Sequence, residues 1–250
     1  MVTEYLIQTS YGAMIMQHHI PSNTKNFPTI LLMTGDSPRG FSGASCQRLL
    51  PVFIENGYGV VVFDFCGLGK NSGKRENLTL TQGIQDFNTA LTKFWTLENI
   101  DYNKIVIFAT SFGASVALAC SNLVNKFKGV ILRSPCPFLP EAYLNEIGFN
   151  KYDEWEKTKF CKENGYNIKV LLDPLNYNLY AMAKNIKTNC KIIYGGKDEI
   201  VPAIQTKLLL SVLNTDKDVY CVENADHGYS INNSFDEMQE IIIKWLKELL

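Results

Sequence analysis

Continuous apolar runs recur along the chain and are separated by segments with helical periodicity. The runs are TILLM (29–33), GVVVFDF (59–65), KIVIF (104–108), GVILR (129–133), CKIIYGG (190–196) and DVYCV (218–222). Antiparallel strands with one solvated face alternate apolar and polar residues, whereas strands of a parallel sheet covered on both faces are apolar throughout. The pattern therefore predicts an α/β fold with a doubly wound, mostly parallel sheet.

The segments between these runs carry helix signals. The last helix has the clearest pattern, because apolar residues keep one face from Phe235 to Leu249. Ser234 and Glu237 have the spacing of a capping box at its start. Further helices are expected at Cys46–Glu55, Thr81–Leu97, Phe112–Asn125 and Pro202–Leu213.

The first twenty residues predict a β-hairpin. Tyr5–Thr9 and Ala13–Ile20 are expected to form its strands on either side of a glycine-containing turn, and a loop over residues 21–28 follows. His18 and His19 lie side by side on the second strand, so their side chains point to opposite faces of the sheet.

The alternation of strand and helix stops after Pro135 for about fifty residues. We therefore expect a core formed by residues 1–134 and 188–250, with a small cap inserted at residues 135–187. Between Phe138 and Tyr180 there are 9 aromatic residues in 43 positions, against 12% aromatic residues in the whole chain. Some of these rings are needed for the cap's own core, and the others are expected to line a substrate pocket. The substrate-binding candidates are Phe138, Tyr143 and Trp155.

Composition narrows the range of partners and compartments. A length of 250 residues with 46% hydrophobic residues suits one domain with a full core, and a net charge of −1 without blocks of like charge argues against nucleic acid as a partner. The N-terminus does not resemble a signal peptide, and no apolar run approaches the roughly 20 residues of a membrane span. Seven scattered cysteines without a CxxC pair favour a cytoplasmic protein, and three histidines make a histidine metal site improbable. No cofactor or metal is expected.

A serine lies where a predicted buried strand turns directly into a helix. Ser111 is flanked two positions away by Ala109 and Gly113 in ATSFG. A sharp strand-to-helix corner strains the residue at its apex and requires small neighbours. Such a corner exposes the Ser111 hydroxyl above the carboxyl ends of the strands and leaves the Phe112 N–H at a helix N-terminus. These features are typical of a nucleophile with one oxyanion donor, although tight packing alone also selects small residues.

A serine nucleophile needs a base that a carboxylate orients. His227, in NADHGY, follows the last predicted strand and lies at the same end of the sheet as Ser111, whereas the hairpin histidines do not. Asp198 follows the preceding strand in GGKDEIVP and is the preferred carboxylate. Asp226 is the competitor, but it is adjacent to His227 and would need an unusual turn to reach it.

These motifs together resemble the α/β-hydrolase superfamily over nearly the whole chain. ATSFG is similar to the nucleophile elbow G-x-S-x-G, GGKDEIVP to the acid loop, and DHGY to the histidine loop. FDFCGLGKNSG is similar to the D-x-R-G-x-G-x-S segment of the lid-bearing branch that contains esterases, lipases and serine aminopeptidase-like enzymes. The resemblance implies Ser111 as nucleophile, His227 as base and Asp198 as its carboxylate.

Three positions depart from the family pattern. Ala109 replaces the first elbow glycine, and Phe65-Cys66 stand where relatives often carry Arg. Thr34-Gly35-Asp36 replaces the usual His-Gly before the second oxyanion donor, which would be the Asp36 N–H. A carboxylate about 6 Å from the oxyanion would cost roughly 3 kcal/mol at an effective dielectric constant of about 20. We therefore expect the Asp36 carboxylate to point away and to pair with Arg39.

The expected function is hydrolysis of a small-molecule carboxylic ester with an apolar acyl or aryl group, through an acyl-enzyme intermediate. Three alternatives stay open: an acyl thioesterase, a serine aminopeptidase-like enzyme that anchors a substrate amine on Glu141, Glu146 or Asp153, and a non-catalytic relative that binds a ligand.

Overall fold

An eight-stranded sheet forms the centre of the fold in the computed structural model, which describes residues 1–21, 25–162 and 165–250. Residues 22–24 of the predicted loop lie outside this range. The strands are β1 Val2–Thr9, β2 Gly12–His19, β3 Phe27–Met33, β4 Gly59–Phe63, β5 Ile100–Thr110, β6 Gly129–Arg133, β7 Phe160–Cys161, β8 Tyr166–Asn167, β9 Asn189–Gly195 and β10 Lys217–Val222. The sheet order is β1-β2-β4-β3-β5-β6-β9-β10, and β7 pairs with β8 elsewhere.

Only the N-terminal hairpin breaks the parallel pattern of this sheet. Strand β2 is antiparallel to β1 and β4, and every later neighbouring pair in the sheet is parallel. Both the hairpin and the doubly wound, mostly parallel sheet were predicted from the apolar runs, and both are confirmed. The antiparallel β2 shows the alternating burial of a strand with two unlike faces, whereas β4 and β6 are buried throughout.

Alternate side chains of the central strands pack into two hydrophobic clusters, one on each face of the sheet. Ile30 and Leu32 of β3 pack into one cluster, and Leu31 and Met33 pack into the other. Both faces therefore need a helical cover. The helices are α1 Ala44–Glu55, α2 Leu80–Phe94, α3 Phe112–Ala119, α4 Ser121–Val124, α5 Leu139–Ile147, α6 Tyr152–Thr158, α7 Lys169–Leu172, α8 Leu179–Ala183, α9 Ala203–Val212 and α10 Ser234–Leu249. Short 3₁₀ helices lie at Gly40–Ser42, Arg75–Asn77, Phe149–Lys151 and Asp173–Asn176.

Two helix predictions differ from the structure. The helix expected from Phe112 to Asn125 is interrupted at Cys120, whose ψ of 29° lies outside the α-helical range, and forms α3 and α4. The predicted capping box is wrong, because Asn233 occupies the N-cap and Ser234 is already the first helical residue. Glu237 instead accepts a hydrogen bond from the Tyr220 hydroxyl.

Residues 135–187, which we call the inserted segment, lie between β6 and β9 and contain α5 to α8 with the β7–β8 pair. Polar contacts tie this segment to the core. On α9, the Gln205 amide donates to the carboxylate of Glu141, and the hydroxyl of Thr81 at the start of α2 donates to Asp173. The segment's buried hydrophobic side chains, Trp155 among them at 1% exposed, belong to the cluster that also covers Leu31 and Met33 on that face of the sheet.

Six of the seven cysteines are buried, as expected of small core residues. None of the helices in residues 1–21, 25–162 and 165–250 combines the length and apolar character needed to cross a membrane. Over the same ranges, no group of three or more His, Cys, Asp or Glu side chains is arranged to hold a metal ion.

Candidate active site

Ser111 occupies a strained corner between β5 and α3. Its φ of 50° and ψ of −114° are unusual for a residue with a side chain, and its N–H donates to the Arg133 carbonyl at 2.9 Å. Gly113 has to be a glycine because it packs against the residues at the end of β3. A Cβ at this position would lie 2.5 Å from the Thr34 carbonyl oxygen. The sequence therefore folds locally so that the Ser111 side chain stands clear of the sheet.

The structure brings His227 and Asp198 to Ser111 in one hydrogen-bonded chain. His227 Nε2 lies 3.0 Å from Ser111 Oγ, and His227 Nδ1 lies 2.7 Å from Asp198 Oδ2. The other carboxylate oxygen, Asp198 Oδ1, accepts from the N–H groups of Ile200 at 3.0 Å and Val201 at 2.8 Å. The acid loop thus fixes the carboxylate with both oxygens occupied, and the carboxylate in turn fixes the imidazole.

Asp226 was the competing carboxylate, and its side chain turns elsewhere. Both of its oxygens accept from Ser230, one from the backbone N–H and one from the hydroxyl. The carboxylate facing His227 is therefore that of Asp198.

The backbone N–H groups of Phe112 and Asp36 are the two predicted oxyanion donors. Phe112 opens helix α3, and Asp36 follows β3 at the end of the Thr34-Gly35-Asp36 loop. In the part of the chain that the structure describes, neither N–H donates to a backbone or side-chain acceptor. Both N–H groups are therefore available to a ligand beside Ser111.

The Asp36 carboxylate pairs with Arg75, and the predicted pair with Arg39 is wrong. Arg75 Nε donates to Asp36 Oδ1 at 2.7 Å, and the Asp36 side chain is only 8% exposed. Arg39 is exposed beside the 3₁₀ helix that begins at Gly40, so its side chain lies in solvent. Burial raises the pKa of Asp36, and the charge and hydrogen bond of Arg75 act against that rise.

Two tyrosines of the inserted segment complete this network. The Tyr143 hydroxyl donates to Asp36 Oδ2 at 3.2 Å, and Arg75 Nη2 donates to the Tyr166 hydroxyl. That hydroxyl donates onward to Glu146 Oε2 at 3.2 Å, and the Arg75 guanidinium lies 4.4 Å from the centre of the Tyr166 ring. We call Asp36, Arg75, Tyr143, Tyr166 and Glu146 the Asp36 network.

Two cavities meet at Ser111 and His227. One, of about 120 Å³, lies under the inserted segment and is lined mainly by Phe112, Leu139, Ala142, Tyr143, Tyr166 and Ile200. The other, of about 350 Å³, lies toward α1 and is lined by Thr34, Ser37, Cys46, Leu49, Arg133 and Gly228 among others. We call them the inner cavity and the outer cavity. Both cavities therefore open onto the Ser111 hydroxyl.

Of the three substrate-binding candidates, the structure places only Tyr143 at the inner cavity. Trp155 is buried inside the inserted segment, where its indole N–H donates to the Tyr166 carbonyl at 3.1 Å. Phe138 is 45% exposed, because its backbone is held by Gln205 and its ring projects outward. Neither ring lines a cavity at Ser111 in the described ranges.

Sequence reasoning missed three residues that surround the site. Arg75 and Tyr166 carry no local signal, since their roles depend on a partner far away in sequence. Arg133 does carry a local sequence signal, because it is a charged residue that ends the otherwise apolar run GVILR at the carboxyl end of a buried strand.

Comparison with known proteins agrees with this architecture. The model of the prolyl oligopeptidase family matches residues 45–250. The quorum-quenching protein AidA of Acinetobacter baumannii is 36% identical over 167 residues, which cover 65% of this chain and 46% of AidA. The chain spans about half the length of the first curated relatives that it matches.

Two solved structures share the fold across the whole chain. Est1E from Butyrivibrio proteoclasticus, solved with ferulic acid bound, has a TM-score of 0.79 at 17% identity, covering 98% of both chains. The acylaminoacyl peptidase of Pyrococcus horikoshii has a TM-score of 0.75 at 16% identity and covers 100% of this chain, which spans 42% of that enzyme. This protein therefore belongs to the prolyl oligopeptidase family and has the α/β-hydrolase fold.

Proposed function

We propose that this protein is a serine hydrolase that cleaves a carboxylic ester with an apolar acyl or aryl group. The observation that carries the proposal is the continuous chain from Ser111 Oγ through the His227 ring to the Asp198 carboxylate, with distances of 3.0 Å and 2.7 Å. This is the arrangement that activates a serine hydroxyl as a nucleophile.

The reaction proceeds in two steps. Ser111 Oγ attacks the ester carbonyl while His227 Nε2 takes its proton, and the same nitrogen then gives that proton to the departing alkoxide. Water activated by His227 next attacks the acyl-enzyme and releases the acid. Asp198 holds the imidazole in the tautomer with hydrogen on Nδ1 and stabilises the imidazolium. The N–H groups of Phe112 and Asp36 stabilise the oxyanion in both steps.

The Asp36 network makes an acidic residue tolerable at the oxyanion loop. The carboxylate is offset by Arg75 and by a hydrogen bond from Tyr143, so that its charge is not left facing the oxyanion. The backbone N–H of the same residue then acts as a donor without strong opposition from its own side chain.

The inner cavity favours an apolar group on one side of the ester. Its wall near Ser111 is formed by Phe112, Leu139, Ala142 and Ile200, and a volume of about 120 Å³ suits a short acyl chain or a small ring. We therefore assign the inserted segment the role of a cap that selects this group.

The first test is covalent labelling by a fluorophosphonate, read as intact mass. We expect one adduct on the parent protein, none on Ser111→Ala, and slow labelling of His227→Asn. No adduct on the folded parent protein, with an inner cavity that still binds small esters, would instead support a non-catalytic ligand-binding relative.

One observation favours a second function, peptidase-like cleavage of a substrate with a free amine. Glu146 lines the inner cavity, where its carboxylate accepts a hydrogen bond from Tyr166, whereas Glu141 is held by Gln205 and is not among the residues that line this cavity. Aminoacyl arylamides compared with matched aryl esters and thioesters would separate the three chemistries. Faster turnover of the arylamides, lost in Glu146→Gln, would establish the peptidase-like function, and faster turnover of thioesters would establish a thioesterase.

A further inference from the structure

A guanidinium lies buried in the wall of the outer cavity without an acidic partner. Arg133 ends strand β6 and is 2% exposed. Its Nη2 donates to the Gly228 carbonyl at 3.1 Å and its guanidinium lies 4.6 Å from the centre of the Tyr229 ring, while Nε has no hydrogen-bond partner. No carboxylate in residues 1–21, 25–162 and 165–250 forms an ion pair with it.

Two other cations of this protein, the partly buried Arg75 and the buried Lys191, each have a carboxylate partner. Arg75 pairs with Asp36 at 2.7 Å, and Lys191, also on the central sheet, pairs with Asp218 at 2.6 Å. A buried charge without a partner is costly, so proteins rarely keep one. Burial lowers the pKa of Arg133, and the charges of Tyr229, Cys46, Asp198 and Asp226 act in the opposite direction, but an arginine stays protonated in proteins. The charge therefore persists, and the carboxylates that act on it lie beyond ion-pair distance, with Asp198 engaged by His227 and Asp226 by Ser230.

The outer cavity is where a partner could bind. It measures about 350 Å³ and is lined by Arg133 together with Ser111, His227 and the Gly228 whose carbonyl Arg133 contacts. Asp36, the acidic residue that also lines this cavity, is already neutralised by Arg75. A ligand at Ser111 that extends into the outer cavity thus meets a wall with one guanidinium that forms no ion pair with a carboxylate of the described residues.

We propose that Arg133 binds a carboxylate of the substrate, so that the preferred ester is apolar in the inner cavity and carries a carboxylate in the outer cavity. A guanidinium matches a carboxylate with two parallel hydrogen bonds, and burial strengthens them. This proposal rests on the proposed function, because it assumes that the ester carbonyl is placed at Ser111.

The test compares esters that differ only in charge on one side. The leaving-group pair is 4-carboxyphenyl butyrate and 4-carbamoylphenyl butyrate, and the acyl pair is monomethyl adipate and methyl adipamate, its primary amide. We expect the parent to have a higher kcat/KM for the charged member of one pair. Arg133→Gln should lower that preference about 10- to 100-fold, which is the range of one or two charge-assisted hydrogen bonds.

Three variants isolate the charge of Arg133. Arg133→Lys should keep part of the preference for the charged ester. Arg39→Gln is the control, because it also removes one positive charge but at an exposed position, and it should leave the preference unchanged. If Arg133 only holds the histidine loop through Gly228, Arg133→Gln will slow charged and neutral esters equally, and the proposal is then wrong.

Ligand binding measured in a variant without the Ser111 hydroxyl tests the carboxylate site independently of the proposed hydrolase activity. Calorimetry with Ser111→Ala should show tighter binding of the charged ester of the preferred pair than of its neutral partner, and Ser111→Ala/Arg133→Gln should bind both alike. Equal binding in the single variant would overturn the carboxylate site even if neutral esters are hydrolysed. A charge preference in binding without any turnover or fluorophosphonate adduct would overturn the hydrolase proposal instead.

Discussion

Removing Arg75 tests whether its charge is what allows an aspartate at the oxyanion loop. Arg75→Met keeps much of the side-chain volume but removes the only cation shown to pair with Asp36 among the described residues. The Asp36 side chain is 8% exposed, so it remains buried without its partner. Breaking a buried ion pair in this way costs about 3–5 kcal/mol of folding free energy.

The effect on turnover can be worked out separately. An unpaired Asp36 carboxylate about 6 Å from the oxyanion destabilises it by roughly 3 kcal/mol at an effective dielectric constant of about 20. That is about a 100-fold loss of kcat. Part of this loss is avoided if Asp36 takes up a proton, because burial already raises its pKa. We therefore expect kcat to fall between about 10- and 100-fold at pH 8 and less at pH 6.

The assay is a double-variant cycle with a neutral ester, with unfolding in urea measured in parallel. Asp36→Asn/Arg75→Met removes both charges and should recover kcat to within about threefold of the parent and most of the lost stability. Asp36→Asn alone leaves the Arg75 cation without its carboxylate, so it should lower stability but should not lower kcat. A loss of kcat in Asp36→Asn as large as that in Arg75→Met, or a double variant as slow as Arg75→Met, would refute the reasoning.

Two further predictions concern a buried histidine and the tryptophan of the inserted segment. Burial, followed by the charge of His19, lowers the pKa of His18 to about 4. The folded state therefore disfavours protonated His18, which costs no stability above pH 6.5, where the group is neutral in both states. The protein should lose stability as the pH falls from 6.5 towards 4, because only the unfolded state then takes up the proton. His18→Gln should remove up to about 3 kcal/mol of this pH dependence from urea unfolding, and an unchanged slope of stability against pH would show that His18 is protonated without cost. Trp155→Phe should lower the unfolding midpoint because the hydrogen bond to the Tyr166 carbonyl is lost, whereas KM for esters should stay within about twofold of the parent. A large rise in KM at unchanged stability would instead return Trp155 to the substrate pocket.

The sheet and the residues around Ser111 could be predicted because their signals are local. Apolar runs define the strands, and the ends of parallel strands meet at one edge of the sheet. Ser111, Asp198 and His227 each follow such a run, so their proximity was expected from the order of the strands alone. The small neighbours of Ser111 are likewise a local requirement of the corner.

The partner of Asp36 could not be predicted because it depends on packing between distant segments. Arg39 is three residues away and was the obvious choice, yet its side chain is exposed, while Arg75 reaches Asp36 from a 3₁₀ helix after β4. The aromatic content of the inserted segment had the same limitation. The composition predicted many aromatic rings in the segment but not their positions. Only the structure distinguishes Tyr143, which lines the inner cavity, from Trp155, which is buried away from it.

The Asp36 network makes the inserted segment difficult to exchange among relatives. Hydroxyls of Tyr143 and Tyr166 reach across to the Asp36 and Arg75 pair beside the oxyanion loop. A graft that brought a new pocket without these two tyrosines would also alter the electrostatics at the reacting carbonyl. On the proposed mechanism, replacing the inserted segment therefore changes turnover as well as substrate preference, and chimeras should take the Asp36 loop and the inserted segment from the same parent.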